Sequence, residues 1–174
     1  MSAHLDTGEG AVTFLTPQPE NIPDELKALP WACWDPKPRP AGGYAKAPIH
    51  PMTGRMLRTN RPDEWLDYGT CLKAVTDGRR TGFGLLLDGT TDLIGGDLDK
   101  VKVLLKANPE VARLVSQYRK AGGYIEWSPS GTGLRLFWRD NLAVDGRRKG
   151  GIEVYRKGRF LTVTGRVLDR EVTQ

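Results

Sequence analysis

The sequence predicts an α+β fold, and three observations carry that expectation. Apolar runs with strand period recur along the chain, a helical period separates them between Lys100 and Lys120, and the later strands are joined by short links. Short links between strands favour antiparallel neighbours, so one predominantly antiparallel sheet is expected.

Taken in order, residues 1–18 carry small and polar residues without a sustained period and read as a flexible leader, leaving 19–174 as the folded domain. Ile22–Leu29 reads as a short helix, with Pro23 early and Asp24 and Glu25 in its first turn. Trp31–Trp34 reads as a strand apolar on both faces. Pro36–Gly43 is rich in turn residues, and Tyr44–Ile49 is expected to pair back across it. A helix is expected to open at Asn60–Trp65 and run to Asp77–Gly78. Two apolar runs, 81–87 and 92–96, flank Asp88-Gly89, a hairpin signal. The helical segment 100–120 should break at Asn108-Pro109 and end at Gly122-Gly123. Strands are then expected at 124–128, 134–138, 152–155 and 159–164.

The length suits one domain, or two small lobes sharing a cleft. No apolar run is long enough for a membrane helix and no secretory signal is present, so an intracellular, cytoplasmic protein is expected. Cys33 and Cys71 lack CxxC spacing, which argues against a zinc ribbon or a disulfide framework. The formal charge is +5, and the densest basic stretch is Arg147-Arg148-Lys149, followed by Arg156, Lys157 and Arg159. Such a stripe suits phosphate-bearing partners, although a solvated basic face has the same composition.

Asp97 and Asp99 end an apolar run. In an extended strand they project to one face, with Leu98 turned to the other. Two bare carboxylates that close repel, and a hard divalent cation with oxygen ligands, Mg²⁺ or Mn²⁺, removes that cost. A surface Asp-x-Asp loop is the alternative. Ser128–Gly133 joins two strands through small residues. Its backbone N–H groups, with the Ser130 hydroxyl and the backbones of Gly131 and Gly133, form a candidate anion-binding nest, or only a tight turn. Arg135 follows on the departing strand, with a guanidinium suited to bidentate phosphate contact. Glu153 lies either on a solvent face or as a third carboxylate completing a two-metal phosphoryl-transfer site. Lys46 and Arg159 are candidate phosphate contacts or surface charges, and His50 reads as structural.

The ordered set Lys46-Ala47-Pro48, Gly82–Leu85, Asp97-Leu98-Asp99, Glu126–Arg135 and Ile152–Tyr155 through Arg159–Gly165 resembles the primase-polymerase domain of phages, plasmids and integrated elements, a branch of the archaeo-eukaryotic primase superfamily. The resemblance implies a catalytic core related to an RNA-recognition motif beside a smaller α/β lobe, with the catalytic cleft between them. It implies Asp97 and Asp99 as the metal pair of the first motif, Ser130 and Arg135 in the nucleotide-binding second motif, and Glu153 as the acid of the third. The superfamily usually has histidine at the position of Arg135; arginine keeps a phosphate contact and does not titrate near neutral pH.

The expected function is metal-dependent, template-directed nucleotidyl transfer from NTPs or dNTPs to a primer 3′-hydroxyl in replication of a mobile element. Mg²⁺ or Mn²⁺ would be the cofactor and single-stranded or primed DNA the partner. Arg147, Arg148, Lys149, Arg156 and Lys157 would contact nucleic-acid phosphates. A helicase domain or protein is a further expected partner, and a monomer the expected state. The alternatives are a non-catalytic replication-initiation module of the same fold and a metal-dependent nuclease.

Overall fold

A computed structural model describes residues 13–141 and 145–169. The expected leader falls outside the described residues up to position 12. From Thr13 the chain runs against the fold: Phe14 is buried, Leu15 N–H donates to Pro129 O (2.8 Å) and Gln18 N–H to Thr164 O (2.7 Å).

The elements are α1 (Asp24–Lys27), β1 (Trp31–Trp34), β2 (Lys37–Pro38), β3 (Tyr44–Ala45), α2 (Tyr68–Thr76), β4 (Gly82–Asp88), β5 (Leu93–Leu98), α3 (Val101–Ala107), α4 (Pro109–Lys120), β6 (Tyr124–Trp127), β7 (Leu134–Arg139), β8 (Gly146–Lys149), β9 (Ile152–Tyr155) and β10 (Lys157–Val163). The fold is α+β, and every strand pairing among the described residues is antiparallel.

The strands form two sheets and a small ribbon rather than one sheet. The orders are β1-β4-β10, β6-β7-β5-β9-β8 and β2-β3. The hairpin expected across Asp88-Gly89 is therefore absent, and β4 and β5 lie in different sheets. Both edges of β4 are occupied, by β1 and β10, so β5 has no ladder to join there. The Asp88 carboxylate instead accepts from the N–H (2.9 Å) and hydroxyl (2.7 Å) of Thr90, an Asx turn that redirects the chain to the larger sheet.

The helix expected from Asn60 starts later. Pro62–Glu64 is a single 3₁₀ turn, Leu66 pairs with Trp31, and α2 begins only after Asp67, whose side chain caps the N–H of Thr70. Trp65 is buried with Leu57 and Leu86, and burying that indole outweighs continuing the helix. The second expected strand shortens to Tyr44–Ala45, because Pro48 follows, and Ile49 reaches Cys33 only as an isolated bridge. The break at Asn108-Pro109 and the end at Gly122, with φ of 80°, fall where the sequence places them.

In the larger sheet, β5 and β6 are both antiparallel to β7, which lies between them, while α3 and α4 make the crossover. This is a split β-α-β unit. Alternation then assigns the two faces. Leu98, Leu134, Leu136 and Ile125 pack under α3 and α4 against Val101, Leu105 and Val115. Leu93 and Phe137 face the other way, into a core shared with Leu85 and Leu161 of the smaller sheet and with α1 and α2. The two sheets thus meet over apolar residues at one end and part at the other, where the polar residues lie.

Candidate active site

The register of the larger sheet places five charged residues in one cross-strand row. Glu126 is opposite Arg135, Arg135 opposite Asp97, Asp97 opposite Glu153, and Glu153 opposite Arg148. Directly opposed residues share a face, and this row is on the face turned to the smaller sheet. Gly95, one step before Asp97 on that face, is where the sheets approach: a Cβ there would collide with Leu161 and sit 2.8 Å from Leu87 Cδ1. Beyond that contact the sheets open into a cleft of about 680 Å³.

Asp97, Asp99, Arg135 and Glu153 line the cleft from the larger sheet, and Arg159 and Thr162 from β10. Lys46, just after β3, borders it too, with Arg148 on the far side. The cleft therefore gathers all three expected metal-binding acids and the expected phosphate contacts Lys46, Arg135 and Arg159. His50 is not among its lining residues; its Nδ1 accepts from Met52 N–H (3.2 Å) in a turn.

The carboxylates are held by cations of the chain itself. Arg135 bonds Asp97, and both side chains are largely withdrawn from solvent, at 14% and 17% exposure. Arg159 (2.7 Å) and the Tyr155 hydroxyl (2.8 Å) donate to one oxygen of Glu153, and Arg148 approaches the other (2.9 Å). Asp99 lies past the strand end, where its N–H donates to Gly151 O (2.9 Å). Burial pushes the Asp97 carboxyl above the usual carboxylate range; Arg135 opposes this, while Glu153 and Asp99 add to it. Lys46 is shifted down, first by burial and then by Arg135 and Arg39, with Asp97 and Asp99 pulling the other way.

The glycine-rich turn is elsewhere. Among the described residues none of Ser130, Gly131 or Gly133 lines this cleft. The Ser130 hydroxyl is shared with those of Ser128 (3.2 Å) and Thr132 (2.9 Å), and the turn is closed by Gly133 N–H donating to Ser128 Oγ (3.0 Å). Thr132 O accepts from Val101 N–H (2.8 Å), so the turn braces the chain immediately after Asp99.

The basic stripe is partly a strand. Arg147, Arg148 and Lys149 form the exposed edge strand β8, whereas Arg156 and Lys157 sit at the β9–β10 link, with Arg156 3.9 Å from Asp145. Of these, Arg148 reaches the cleft.

Glu126 is the residue that sequence reasoning passed over. It is fully buried, and it accepts from Thr164 N–H (2.9 Å), Gly165 N–H (2.7 Å) and the Tyr124 hydroxyl (2.7 Å). Burial drives its carboxyl up to about 7, against the pull of those donors and of Arg135. Period alone puts Glu126 on the same face as Tyr124, but its burial depends on the end of β10 folding over it. Arg39, on the far side of the β2–β3 ribbon, also lines the cleft without any local signal of doing so.

Among the described residues no group of three acidic, histidine or cysteine side chains converges closely enough to hold a metal ion, and no helix is long and apolar enough to cross a membrane. No protein-family model matches the chain. The chain is 30% identical over 134 residues to a DNA primase-polymerase of Nitratiruptor phage NrS-1, a match that takes in 71% of this chain and 18% of that protein, so this chain spans less than a fifth of that relative's length.

Proposed function

We propose that the chain is the nucleotidyl-transfer unit of a primase-polymerase, joining nucleotides from NTPs or dNTPs to the 3′-hydroxyl of a primer on a DNA template during replication of a mobile element. The observation that carries this reading is the cleft between the sheets, which gathers Asp97, Asp99 and Glu153 with Lys46, Arg135 and Arg159. The similarity to a DNA primase-polymerase supports it independently.

The donor set is all oxygen, which suits Mg²⁺ or Mn²⁺ and neither zinc nor copper. Asp97, Asp99 and Glu153 line one cleft and are the residues that would hold such ions once drawn together, since among the described residues no three acids converge closely enough as they stand and Arg135 and Arg159 are bonded to two of them. Bound there, divalent cations would lower the pKa of the primer hydroxyl and neutralise the departing pyrophosphate.

The protein's own part is positioning and charge complementarity. Lys46, Arg135 and Arg159 present cations to a triphosphate from three separate segments, on both sides of the cleft. Ion pairs link Arg135 to Asp97 and Arg159 to Glu153, while the Nε of each arginine is buried without a hydrogen-bond partner among the described residues, so both guanidiniums keep unused donor capacity. A triphosphate recruits the guanidinium of each pair as the carboxylates take up their new role.

The test uses a primed and an unprimed single-stranded template, each with NTPs or dNTPs and Mg²⁺ or Mn²⁺. Asp97→Asn is preferred to alanine, because the amide oxygen still accepts from Arg135 and avoids stranding a buried cation. Primer extension by the wild-type chain should fall by more than about a hundredfold in Asp97→Asn, Asp99→Ala and Glu153→Gln, the scale that loss of one preorganised charged group costs. Undiminished extension in any of the three would sink the assignment. Degradation of labelled DNA without added nucleotide would replace it with a nuclease.

A further inference from the structure

The segment from Pro36 to Pro62 contains six cationic residues, Lys37, Arg39, Lys46, Arg55, Arg58 and Arg61, and no Asp or Glu. The last three find carboxylates just downstream: Arg55 and Arg58 pair with Glu64, and Arg61 with Asp63. Lys37, Arg39 and Lys46 form no ion pair among the described residues. They belong to the β2–β3 ribbon and its base, which stand at the mouth of the cleft.

The ribbon is built to project. Its two strands hold two residues each, the ladder extends through Arg39 N–H to Gly43 O (3.0 Å), and Gly42 N–H closes the tip on Arg39 O (3.0 Å). Gly42 and Gly43 have φ of 85° and 74°, and neither would meet another atom within 4 Å if it carried a Cβ, so the tip stands clear of the protein. Every residue from Lys37 to Gly43 is exposed. The base, by contrast, is anchored: Phe14 packs edge-on against Tyr44 (5.7 Å) and Trp34 (5.4 Å), and the Lys46 ammonium lies over the Phe14 ring (5.5 Å). Alternation sets Lys37 on the same face as Arg39, which lines the cleft.

We propose that this ribbon is a cationic arm that grips the phosphate backbone of a single-stranded nucleic acid entering the cleft, opposite the basic edge strand β8. The choice of nucleic acid as partner rests on the function proposed above. A polyelectrolyte is the ligand that fits these cations. Each exposed cation gains little from a small anion in water, whereas contacts with successive backbone phosphates add through counterion release. The half-buried Lys46 at the base is the cation placed for a compact triphosphate, and the exposed Lys37 and Arg39 are placed for a strand passing outside it. A grip made through backbone phosphates is independent of sequence.

The test is binding of a fluorescent single-stranded oligonucleotide by anisotropy, without nucleotide or divalent cation, over a KCl series. The proteins compared are the wild-type chain, Lys37→Ala/Arg39→Ala and, as a second pair at the same exposed positions, Lys37→Gln/Arg39→Gln. Both variants should bind about tenfold more weakly at low salt, with a log–log salt slope smaller by about 1 to 1.5, the contribution of two phosphate contacts on a single strand. Because Arg39 also lines the cleft beside Lys46, affinity for a fluorescent nucleoside triphosphate, measured in parallel, should fall by clearly less than affinity for the oligonucleotide. The proposal is overturned if the wild-type chain does not bind the oligonucleotide, if affinity and slope are unaltered in the folded variants, or if triphosphate affinity falls as much as DNA affinity. Primer extension is scored separately: a chain that binds DNA through the arm and extends no primer refutes the polymerase reading and leaves the arm standing.

Discussion

Glu126 shows how one buried residue sets the geometry of a site it does not line. Its carboxylate ties β6 to the two N–H groups that end β10, and its cross-strand neighbour is Arg135, the cation bonded to Asp97. Glu126→Gln turns one acceptor into a donor facing N–H groups, so a loss of about 1–3 kcal/mol is expected in denaturant unfolding, the penalty of a buried polar group left unsatisfied. The pH dependence follows from the raised carboxyl. An acid whose folded value is about 7 against an ordinary 4.5 holds its proton in the folded state over that window, while the unfolded chain has released it. Folding is then favoured at the acid end, and the stability contribution is lost as pH rises from 4.5 to about 7. The wild-type chain should lose up to about 3 kcal/mol relative to Glu126→Gln across that range. Parallel stability profiles for the two proteins would show that the carboxyl titrates normally.

At the scale of elements, β4 is the strand whose glycines decide how closely its neighbours approach. A Cβ at Gly84 would run into the backbone carbonyl of Leu161 and lie 2.8 Å from Thr162 Cα, both on β10. Backbone cannot swing aside as a side-chain end can, so Gly84→Ala must displace β10. An overpacking cost of about 1–3 kcal/mol is expected in thermal or denaturant unfolding. Because Thr162 and Arg159 of the same strand line the cleft, nucleotide KM should rise in the folded variant. Gly122→Ala, at a positive-φ position outside the cleft with no atom within 4 Å of the added Cβ, separates the two effects: it strains the backbone without touching β10 or the cleft lining. Equal KM values for wild type and Gly84→Ala would show that β10 does not transmit the displacement to the cleft.

At the scale of the whole molecule, the two sheets meet over Leu93, Phe137, Leu85 and Leu161 and part where the acids and arginines face each other. The cation site proposed at that opening would exist only in the folded state, so Mn²⁺ should raise the melting temperature of the wild-type chain. At a hundredfold excess over Kd the gain is about 2.7 kcal/mol, or roughly 5–10 °C for a chain of this size. The shift should vanish in Asp97→Asn and in Glu153→Gln; a shift that persists in both would place cation binding elsewhere. Much of this architecture is legible from local pattern: the strands at Trp31, Leu134 and Ile152, the break at Asn108-Pro109, and the pairing of Asp97 with Asp99 on one face follow from period, turn residues and spacing, whereas the solvent-or-cleft choice for Glu153 does not. Most strands, the helical stretch after Lys100 and the shared side of Asp97 and Asp99 are thus readable in the chain, because they depend on neighbours a few positions away. Four features come from the assembled fold alone: β4 and β5 part into separate sheets, Glu126 is buried beside Arg135, the turn at Ser130 braces the chain after Asp99 from outside the cleft, and Arg39 reaches the cleft. Each of these depends on which strand edges are already occupied and on residues far apart in the chain, contacts that local periodicity does not encode.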